Sequence, residues 1–348
     1  MLQCNGYGNY RLTGEMTIDR AHASITQCYD VEAGRWSDEI MGAFGIPESL
    51  MPRVVGCDEI IGGVSAEAAR ETGLPAGTPM LGGSVDGAAS GLEGGVFGDG
   101  TAVEMSGTSS VLVLGTTQPH YSPKLTYMYS PIPGQNYLLG CMSTTGGALK
   151  WYRDTLHRGT GGGAYQQMNA LIESKCPDPT PLIFLPYLAG ERAPIWDTHA
   201  KGAFLGITFD TGEADMIRAI QEGAAFVLMD NLIEGRKAGA DIQVMRAVGG
   251  HTRSDIWMKI KASVLNMPIE IPHQNFGAPG GLLALLGKAL GEFGSVAEAC
   301  AANFEIDRVV EPEKRWVSWY EDQFALFKQY YNQCRDTFCM ADEMRARR

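Results

Sequence analysis

The sequence predicts an α/β fold, because segments with the pattern of a strand alternate with segments with the pattern of a helix. The alternation is clearest after residue 212, where helices at 213–237, 255–265 and 280–290 are separated by strands at 242–248 and 269–271. From it we expect a largely parallel sheet covered by helices. The first of these helices carries apolar residues at helical spacing, namely Met216, Ile217, Ile220, Ala224, Val227, Leu228 and Leu232.

The elements before residue 78 are predicted to be mixed helix and loop. Short helices are expected at 39–44 and 65–72. Ser65 is the expected N-cap of the second helix, and Gly73 is its expected C-cap. A short strand at 78–81 then leads into a glycine-rich segment.

More strands are predicted after residue 100. Strands at 101–105 and 111–116 flank the turn Gly107-Thr108-Ser109 and are expected to form a hairpin. The remaining predicted elements are strands at 137–141, 182–185 and 203–207 and a terminal helix at 316–338.

The composition is that of a globular protein with an acidic balance. The chain has 348 residues, of which 45% are hydrophobic and 20% charged, and its formal net charge is −12. This length suits one large domain or two ordinary ones. Nucleic acids and acidic membranes require a basic surplus, so we expect neither as a partner. The N-terminus has no signal-peptide pattern and no apolar run reaches 18 residues, which predicts a cytoplasmic protein.

The cysteines and histidines show no ligand spacing. The eight cysteines are scattered and none forms a CxxC pair. Free thiols in a reducing compartment are therefore expected. The six histidines are equally dispersed, so the sequence predicts no protein-bound metal site.

A lone acidic residue, Asp86, stands where an apolar stretch breaks into glycines and small residues. The pattern indicates a buried strand that delivers one carboxylate into a cleft at the start of a helix. A carboxylate shielded from solvent in this place is poised to act as a general base towards a substrate hydroxyl. The alternative is an aspartate that only caps the helix.

Two glycine turns complete the predicted site. Gly107-Thr108-Ser109 can offer backbone N–H groups and hydroxyls to phosphates, although an ordinary hairpin turn has the same pattern. Gly249-Gly250 lies between a predicted strand and a predicted helix, where open α/β sheets bind nucleotides, and a tight structural turn is the alternative. One carboxylate and two such turns indicate phosphoryl transfer, in which positioning and charge stabilisation supply most of the catalysis.

The segment 185–197 is dense in proline, aromatic and charged residues. We expect Glu191 and Arg192 to pair within a loop under the cleft. Their role is predicted to be structural rather than catalytic.

These motifs together resemble those of the FGGY carbohydrate kinases, most closely the xylulokinase-like members, over nearly the whole chain. The Asp86 segment is similar to the one that bears their catalytic aspartate, and Gly107-Thr108-Ser109 is similar to their GTS phosphate turn. The most specific match is to their PYLxGERxP motif, at residues 186–194. Further similar segments lie at 10–15 (YRLTGE), 35–39, 74–79, 249–254 (GGGAKS in the family) and 277–284.

The resemblance implies two actin-like domains of the ribonuclease H type. Residues 1–99 would form the end of an incomplete first domain on the sugar side, and residues 100–348 would form a complete second domain on the nucleotide side. The implied reaction transfers the γ-phosphoryl group of ATP, with Mg²⁺, to a hydroxyl of a sugar or polyol, with a pentulose such as xylulose favoured. Asp86 would accept the hydroxyl proton, and Asp86 and Gly87 would contact the sugar.

The resemblance also assigns residues to ATP, and the sequence departs from the family both on the adenosine side and on the sugar side. His251 replaces a glycine of the family and Thr252 an alanine, so the adenosine-side turn is expected to be less open. Gly87 stands where many members carry Asn or Gln, which leaves the identity of the sugar open. The residues assigned to ATP are Gly107, Thr108, Ser109, Gly249, Gly250, His251 and Ser254.

Full-length members of the family carry a long segment with a DxGTT turn ahead of the YRLTGE motif, and no such motif precedes Tyr10 here. We therefore expect this chain to correspond to the C-terminal part of a kinase and to be inactive alone. The alternative is a non-catalytic fragment that binds nucleotide or a partner without turnover. A small-molecule sugar or polyol is the expected partner, and a homodimer is left open.

Overall fold

The computed structural model describes residues 2–157, 163–273, 277–302 and 304–347. The first part of the described chain contains α1 (Cys4–Thr13), β1 (Thr17–Asp19), α2 (Arg20–Ser24), β2 (Tyr29–Asp30), β3 (Arg35–Trp36), α3 (Asp38–Phe44), β4 (Arg53–Val55), β5 (Ile60–Gly63), α4 (Ala66–Thr72), β6 (Pro79–Leu81) and α5 (Asp86–Glu93). Its strands pair two by two, β1 with β4, β2 with β3 and β5 with β6.

The second part contains most of the regular structure. Its elements are β7 (Thr101–Ser106), β8 (Ser110–Thr116), β9 (Thr126–Tyr129), β10 (Asn136–Met142), α6 (Gly146–Tyr152), α7 (Ala164–Lys175), β11 (Ile183–Pro186), β12 (Gly202–Leu205), α8 (Glu213–Lys237), β13 (Val244–Gly249), α9 (Asp255–Leu265), β14 (Ile269–Pro272), α10 (Ala278–Ala289), α11 (Val296–Ala301), β15 (Ile306–Val310) and α12 (Lys314–Ala346).

Seven of these strands form one sheet, in the order β15-β14-β13-β7-β8-β10-β9. Only β13 runs parallel to its neighbours, β7 and β14, and the other four pairings are antiparallel. The expectation of a largely parallel sheet is therefore wrong. Short connections between β7 and β8 and between β9 and β10 force antiparallel pairing, whereas α9 provides the crossover that parallel β13 and β14 need.

The predicted helices and turns agree well with the structure. Helices α8 and α9 cover the residues that the sequence predicts, and the hairpin of β7 and β8 is confirmed. The caps of α4 are also confirmed, because the Ser65 hydroxyl accepts from the Ala68 N–H and Gly73 adopts φ +79°. Helix α12 is longer than the predicted 316–338.

Two cores cover the two faces of the large sheet, because successive side chains of a strand point to opposite faces. Leu112 and Leu114 belong to the core with α8, α9 and α12. Val113 belongs to a second core, in which α5 and α10 pack against the sheet through Leu92 and Leu285. The predicted segments 1–99 and 100–348 thus share this second core through α5.

The described ranges contain no helix with the length and hydropathy needed to cross a bilayer. All eight cysteines are free thiols.

Candidate active site

The predicted phosphate turn is the tip of the β7–β8 hairpin. Ser106 and Ser110 are the last paired residues, and Gly107, Thr108 and Ser109 form an exposed three-residue turn between them. The turn is closed by a hydrogen bond from the Gly107 N–H to the Ser109 carbonyl, at 2.9 Å.

A buried cluster of hydroxyl groups fixes the base of this turn. Ser110 Oγ lies 2.7 Å from Ser106 Oγ and 2.6 Å from Thr145 Oγ1. All three side chains are buried. Since Thr145 is the residue before α6, the cluster ties the hairpin to the start of that helix.

Glycines allow two other segments to approach the turn closely. A Cβ atom on Gly146 would collide with the Gly107 carbonyl oxygen, and one on Gly249 would collide with that of Ser106. Gly249 also has φ +115°, which side chains rarely tolerate. The Gly147 N–H donates to the Thr108 carbonyl at 2.8 Å. The turn is therefore held by the start of α6 and by the end of β13.

These segments surround a cavity of about 410 Å³. Of the residues assigned to ATP, those that line it are Gly107, Thr108, Gly250, His251 and Ser254. The structure thus brings together two turns that are about 140 residues apart in the sequence. Ser109 and Gly249 lie beside the cavity rather than in its described lining.

The ring of His251 is buried beside a charged pair at the wall of the cavity. Its Nε2 atom lies 3.4 Å from Glu104 Oε2, and its ring packs edge-on against Trp257. Burial lowers the pKa of His251, so the ring is neutral at neutral pH. The expectation that His251 makes the turn less open stays a prediction. Gly250 beside it has open space around its Cα.

Glu104 and Lys261 form a buried ion pair under the turn. Lys261 Nζ donates to both Glu104 carboxylate oxygens, at 2.5 and 2.7 Å, and both side chains are almost completely buried. Burial alone would raise the pKa of Glu104, but the Lys261 ammonium outweighs it and holds that pKa at about 2. The pair connects β7, which leads into the turn, with α9.

Polar groups at the rim of the cavity differ in how freely they can meet a ligand. The Ser254 hydroxyl caps α9 by accepting from the Trp257 N–H at 3.3 Å. Arg253 and Lys150 are exposed cations that also line the cavity, and Lys150 pairs with Asp154 at 2.9 Å. Cations at this rim favour an anionic ligand such as a phosphate chain.

Asp86 is exposed, contrary to the expectation of a carboxylate shielded from solvent. It is the first residue of α5, its side chain is exposed, and its Oδ1 accepts from the Gly87 N–H at 2.7 Å. The preceding strand β6 pairs with β5 alone in a two-stranded sheet and is exposed or half-buried, so no layer shields the carboxylate. Asp86 and Gly87 are outside the described lining of the cavity.

In the loop around Glu191, the expected pairing of Glu191 with Arg192 is made through the Arg192 backbone and not through its guanidinium. The Glu191 carboxylate accepts from the backbone N–H groups of Ser143 and Arg192, at 2.6 and 2.8 Å. The Arg192 guanidinium instead donates to the Met142 carbonyl. Burial raises the pKa of Glu191. This loop thus holds the chain just before α6.

In the part of the chain that the structure describes, side chains that could ligate a metal ion are separate or already paired. Across the described ranges, no three His, Cys, Asp or Glu side chains are grouped to hold a metal. Glu104, which lies nearest the turn in sequence, is already paired with Lys261. Mg²⁺ commonly binds through the phosphates of its ligand, so we assign it no protein ligand here.

Several lining residues escaped the sequence analysis. They come from α6, from α7 and from the segment after Gly250, namely Leu149, Lys150, Tyr165, Gln166, Asn169 and Arg253. The pair Gly146-Gly147, between a strand and a helix, carries the same signal as Gly249-Gly250 and could have been found. A lone Glu in the apolar stretch 102–105 and a lone Lys in 260–262 mark two buried charged residues, although not their partnership.

Comparisons with known proteins match these features. The model of the FGGY family of carbohydrate kinases, C-terminal domain, matches residues 102–289, and that of the N-terminal domain matches residues 1–92. The chain is 27% identical over 331 residues to the xylulose kinase of Staphylococcus epidermidis, covering 94% of this chain and 66% of that protein. It is 30% identical over 300 residues to the glycerol kinase of Solidesulfovibrio magneticus, covering 84% and 58%.

A solved structure gives the same result. The xylulose kinase from Rhodospirillum rubrum superposes with a TM-score of 0.87 at 28% identity, covering 96% of this chain and 67% of that one. The chain therefore spans about two thirds of the length of these xylulose kinases. The α/β, actin-like fold that the resemblance implied is confirmed. The chain belongs to the FGGY family of carbohydrate kinases.

Proposed function

We propose that this chain takes part in the transfer of the ATP γ-phosphoryl group to a hydroxyl of a sugar or polyol. The observation that carries the proposal is the meeting of the Gly107-Thr108-Ser109 turn with the Gly249-Gly250 turn at one cavity. Gly146 and Gly249 make close backbone approaches beside that cavity. Backbone N–H groups and exposed cations beside this cavity suit a nucleoside triphosphate.

The proposed roles follow from position and chemistry. Gly107, Thr108 and Ser109 bind the terminal phosphates, and Gly249, Gly250 and Ser254 form the wall along the nucleotide. Asp86 accepts the proton of the acceptor hydroxyl as its oxygen attacks the γ-phosphorus, and ADP leaves. Gly87 lies next to the acceptor. Mg²⁺ arrives with the nucleotide.

Xylulose is the acceptor that we propose. The xylulose kinase relative aligns with 94% of this chain, against 84% for the glycerol kinase. The two relatives differ little in the chemistry of their acceptors, because both are named as kinases of small polyhydroxyl compounds. An acceptor panel of xylulose, ribulose and glycerol decides between them, assayed on the chain extended at its N-terminus by a segment with a DxGTT turn.

We further propose that a polypeptide of residues 1–348 alone binds nucleotide without turnover. The cavity is lined by residues between Ser106 and Trp257, whereas Asp86 is exposed and outside the described lining. Phosphoryl transfer needs the nucleotide, the base and the acceptor hydroxyl aligned together. We place the boundary between the two functional segments near residues 99 and 100. The alternative is a fragment without any catalytic role, which binds nucleotide or a partner.

Titration of the purified chain with MgATP tests the site. Gly250→Val should weaken binding at least about tenfold, because its side chain would enter open space in the cavity without disturbing the fold. Gly42→Val is the matched control, since it also projects into open space, on the exposed helix α3. If the Gly250→Val variant binds MgATP as the parent does, the turn is structural and the nucleotide site lies elsewhere.

A phosphorylation assay with the acceptor panel tests the second proposal. The chain alone should form ADP no faster with acceptor than without it. Turnover above about 1 s⁻¹, an ordinary value for an enzyme, would show that residues 1–348 suffice for catalysis.

A further inference from the structure

Helix α7 presents a flat ring and an amide group to the cavity. Tyr165 and Asn169 both line it. They are four residues apart on α7, so they lie on the same face of the helix. This combination differs from the glycines and cations of the two turns, which suit phosphates.

The ring of Tyr165 is held in place by Arg153. The Arg153 guanidinium lies 4.9 Å from the ring centroid, and its Nη1 donates to the Tyr165 hydroxyl at 3.0 Å. An oriented aromatic ring offers a surface on which another flat ring can stack. A planar heterocycle is therefore a better fit here than an acyclic polyol.

Asn169 is oriented by a glutamine from the neighbouring helix. Gln221, on α8, is completely buried, and its Nε2 donates to Asn169 Oδ1 at 3.2 Å. Within the described residues, Gln221 Oε1 has no hydrogen-bond partner. A polar side chain placed in the core with this single contact serves Asn169 rather than the packing of α8.

The direction of this hydrogen bond decides what Asn169 offers to a ligand. Turning both amides round would leave Gln221 with an unpaired buried NH₂ group, which is less acceptable than an unpaired carbonyl oxygen. With Oδ1 occupied, the Nδ2 group of Asn169 remains as a donor, and no described residue accepts from it. The cavity thus presents a donor beside an oriented ring.

We propose that Asn169 recognises the base of the nucleotide by donating from Nδ2 to a ring nitrogen or carbonyl acceptor of the base, and that Gln221 is the positioning residue that fixes this donor. The inference rests on the proposed function, because it takes the cavity to be the nucleotide site. Purine rings carry such acceptors at their edges. The Gly107-Thr108-Ser109 turn would then bind the terminal phosphates, the Gly249-Gly250 turn would lie along the nucleotide, and α7 would bind the base.

The test compares two probes, MgATP and magnesium tripolyphosphate, which has the phosphates without the base. Calorimetric titration gives the ratio of their affinities for the full chain. The parent should prefer ATP by at least about tenfold, the value of one good additional contact. Asn169→Asp keeps the acceptor for Gln221 but replaces the donor with a carboxylate oxygen, so this preference should be lost. Gln221→Leu should reduce it by a smaller factor, about threefold, by releasing the amide.

Gln167→Glu is the matched control, because it adds the same charge on α7 at an exposed residue outside the described lining. It should weaken the binding of both probes equally and leave the ratio of their affinities unchanged. Asn169→Ser serves if the aspartate variant does not fold, and it should also lose the preference.

The outcomes separate this inference from the proposed function. An unchanged ratio in the Asn169 variants, or equal affinity of the parent for both probes, overturns base recognition but leaves phosphate binding in place. A parent that binds neither probe contradicts the nucleotide site itself and the inference with it.

Discussion

Residues 2–92 and residues 101–347 differ in the size of the core that each builds. The second segment buries two faces of a seven-stranded sheet under helices. The described strands of the first segment form two-stranded sheets, and its own core consists of Ile18, Ala23, Tyr29, Trp36 and Met41. Its exposed large apolar side chains are Tyr7, Tyr10, Met16, Ile40, Phe44, Leu50, Ile60 and Leu74.

This difference explains why the carboxyl groups of Asp86 and Glu104 have different environments. A two-stranded sheet is marginal in isolation, so the first segment depends on α5, which packs onto the large sheet. Asp86, at the start of α5, is exposed, whereas Glu104 lies in the sheet and is buried. Substituting a partner of the buried Glu104 should therefore cost much stability, whereas substituting the exposed Asp86 should cost little.

The largest effect is expected at Lys261. Lys261→Met leaves the buried Glu104 carboxylate without its cation, which should lower the free energy of unfolding by about 3–5 kcal/mol. Replacing both partners, in Lys261→Met with Glu104→Leu, should restore most of this loss because no buried charge remains. Urea unfolding followed by circular dichroism measures both changes.

Lys259→Met is the control for this experiment. It lies on the same helix, but its side chain is partly exposed and pairs with Glu313 near the surface. Its loss should stay below about 1 kcal/mol. If Lys261→Met alone is as stable as this control, the second segment tolerates an unpaired buried carboxylate. The expected difference in stability between substitutions in the second segment and at Asp86 would then be absent.

The ion pair also shows where sequence reasoning stops. Helices α8 and α9 were predicted over their observed residues because caps and helical period are local signals. The direction of strand pairing is set by distant partners, and the predicted parallel sheet was wrong. The partnership of Glu104 and Lys261 spans 157 positions, and nothing local in the sequence specifies it.

The second expected effect is a pH dependence carried by Glu222. Arg218 Nε and the Tyr320 hydroxyl both donate to Glu222 Oε1, at 2.7 and 2.8 Å, and all three side chains are buried. Burial raises the pKa of Glu222 from 4.5 to about 7, against the opposing effect of Arg218. The folded protein therefore keeps a proton that the unfolded chain releases, and its stability falls as pH rises from about 4.5 to 7.

Glu222→Gln should remove this fall. Relative to the parent, the variant should gain stability between pH 5 and pH 8, by up to a few kcal/mol at about 1.4 kcal/mol per pKa unit. Urea midpoints measured at both pH values test the sign. A variant that gains no stability relative to the parent over this interval would mean that Glu222 is ionised in the folded protein throughout.

The candidate site was predictable in part for the same physical reasons. Gly107 and Gly250 were found because glycine turns next to strands have a local pattern, and the structure places both at the cavity. The exposure of Asp86 could not be predicted, since it depends on how many layers cover β6. The Asn169–Gln221 contact joins two helices across the core and leaves no local signal.

The smallest effect on stability is expected at Asp86, where the effect on activity should be large. Asp86→Asn removes an exposed negative charge from the first turn of α5, which should cost about 0.3–1 kcal/mol. Asp38→Asn is the matched control, because Asp38 is also exposed and also begins a helix, α3. The two variants should unfold at similar urea concentrations and bind MgATP as the parent does.

Turnover is measured in the chain extended at its N-terminus by a segment with a DxGTT turn. There Asp86→Asn should lower kcat by at least about 10²-fold, since the acceptor hydroxyl would lose its base, while Asp38→Asn should leave kcat unchanged. Near-normal turnover of the Asp86→Asn variant would show that Asp86 is not the general base. Residues 2–92 would then not supply the base that we propose.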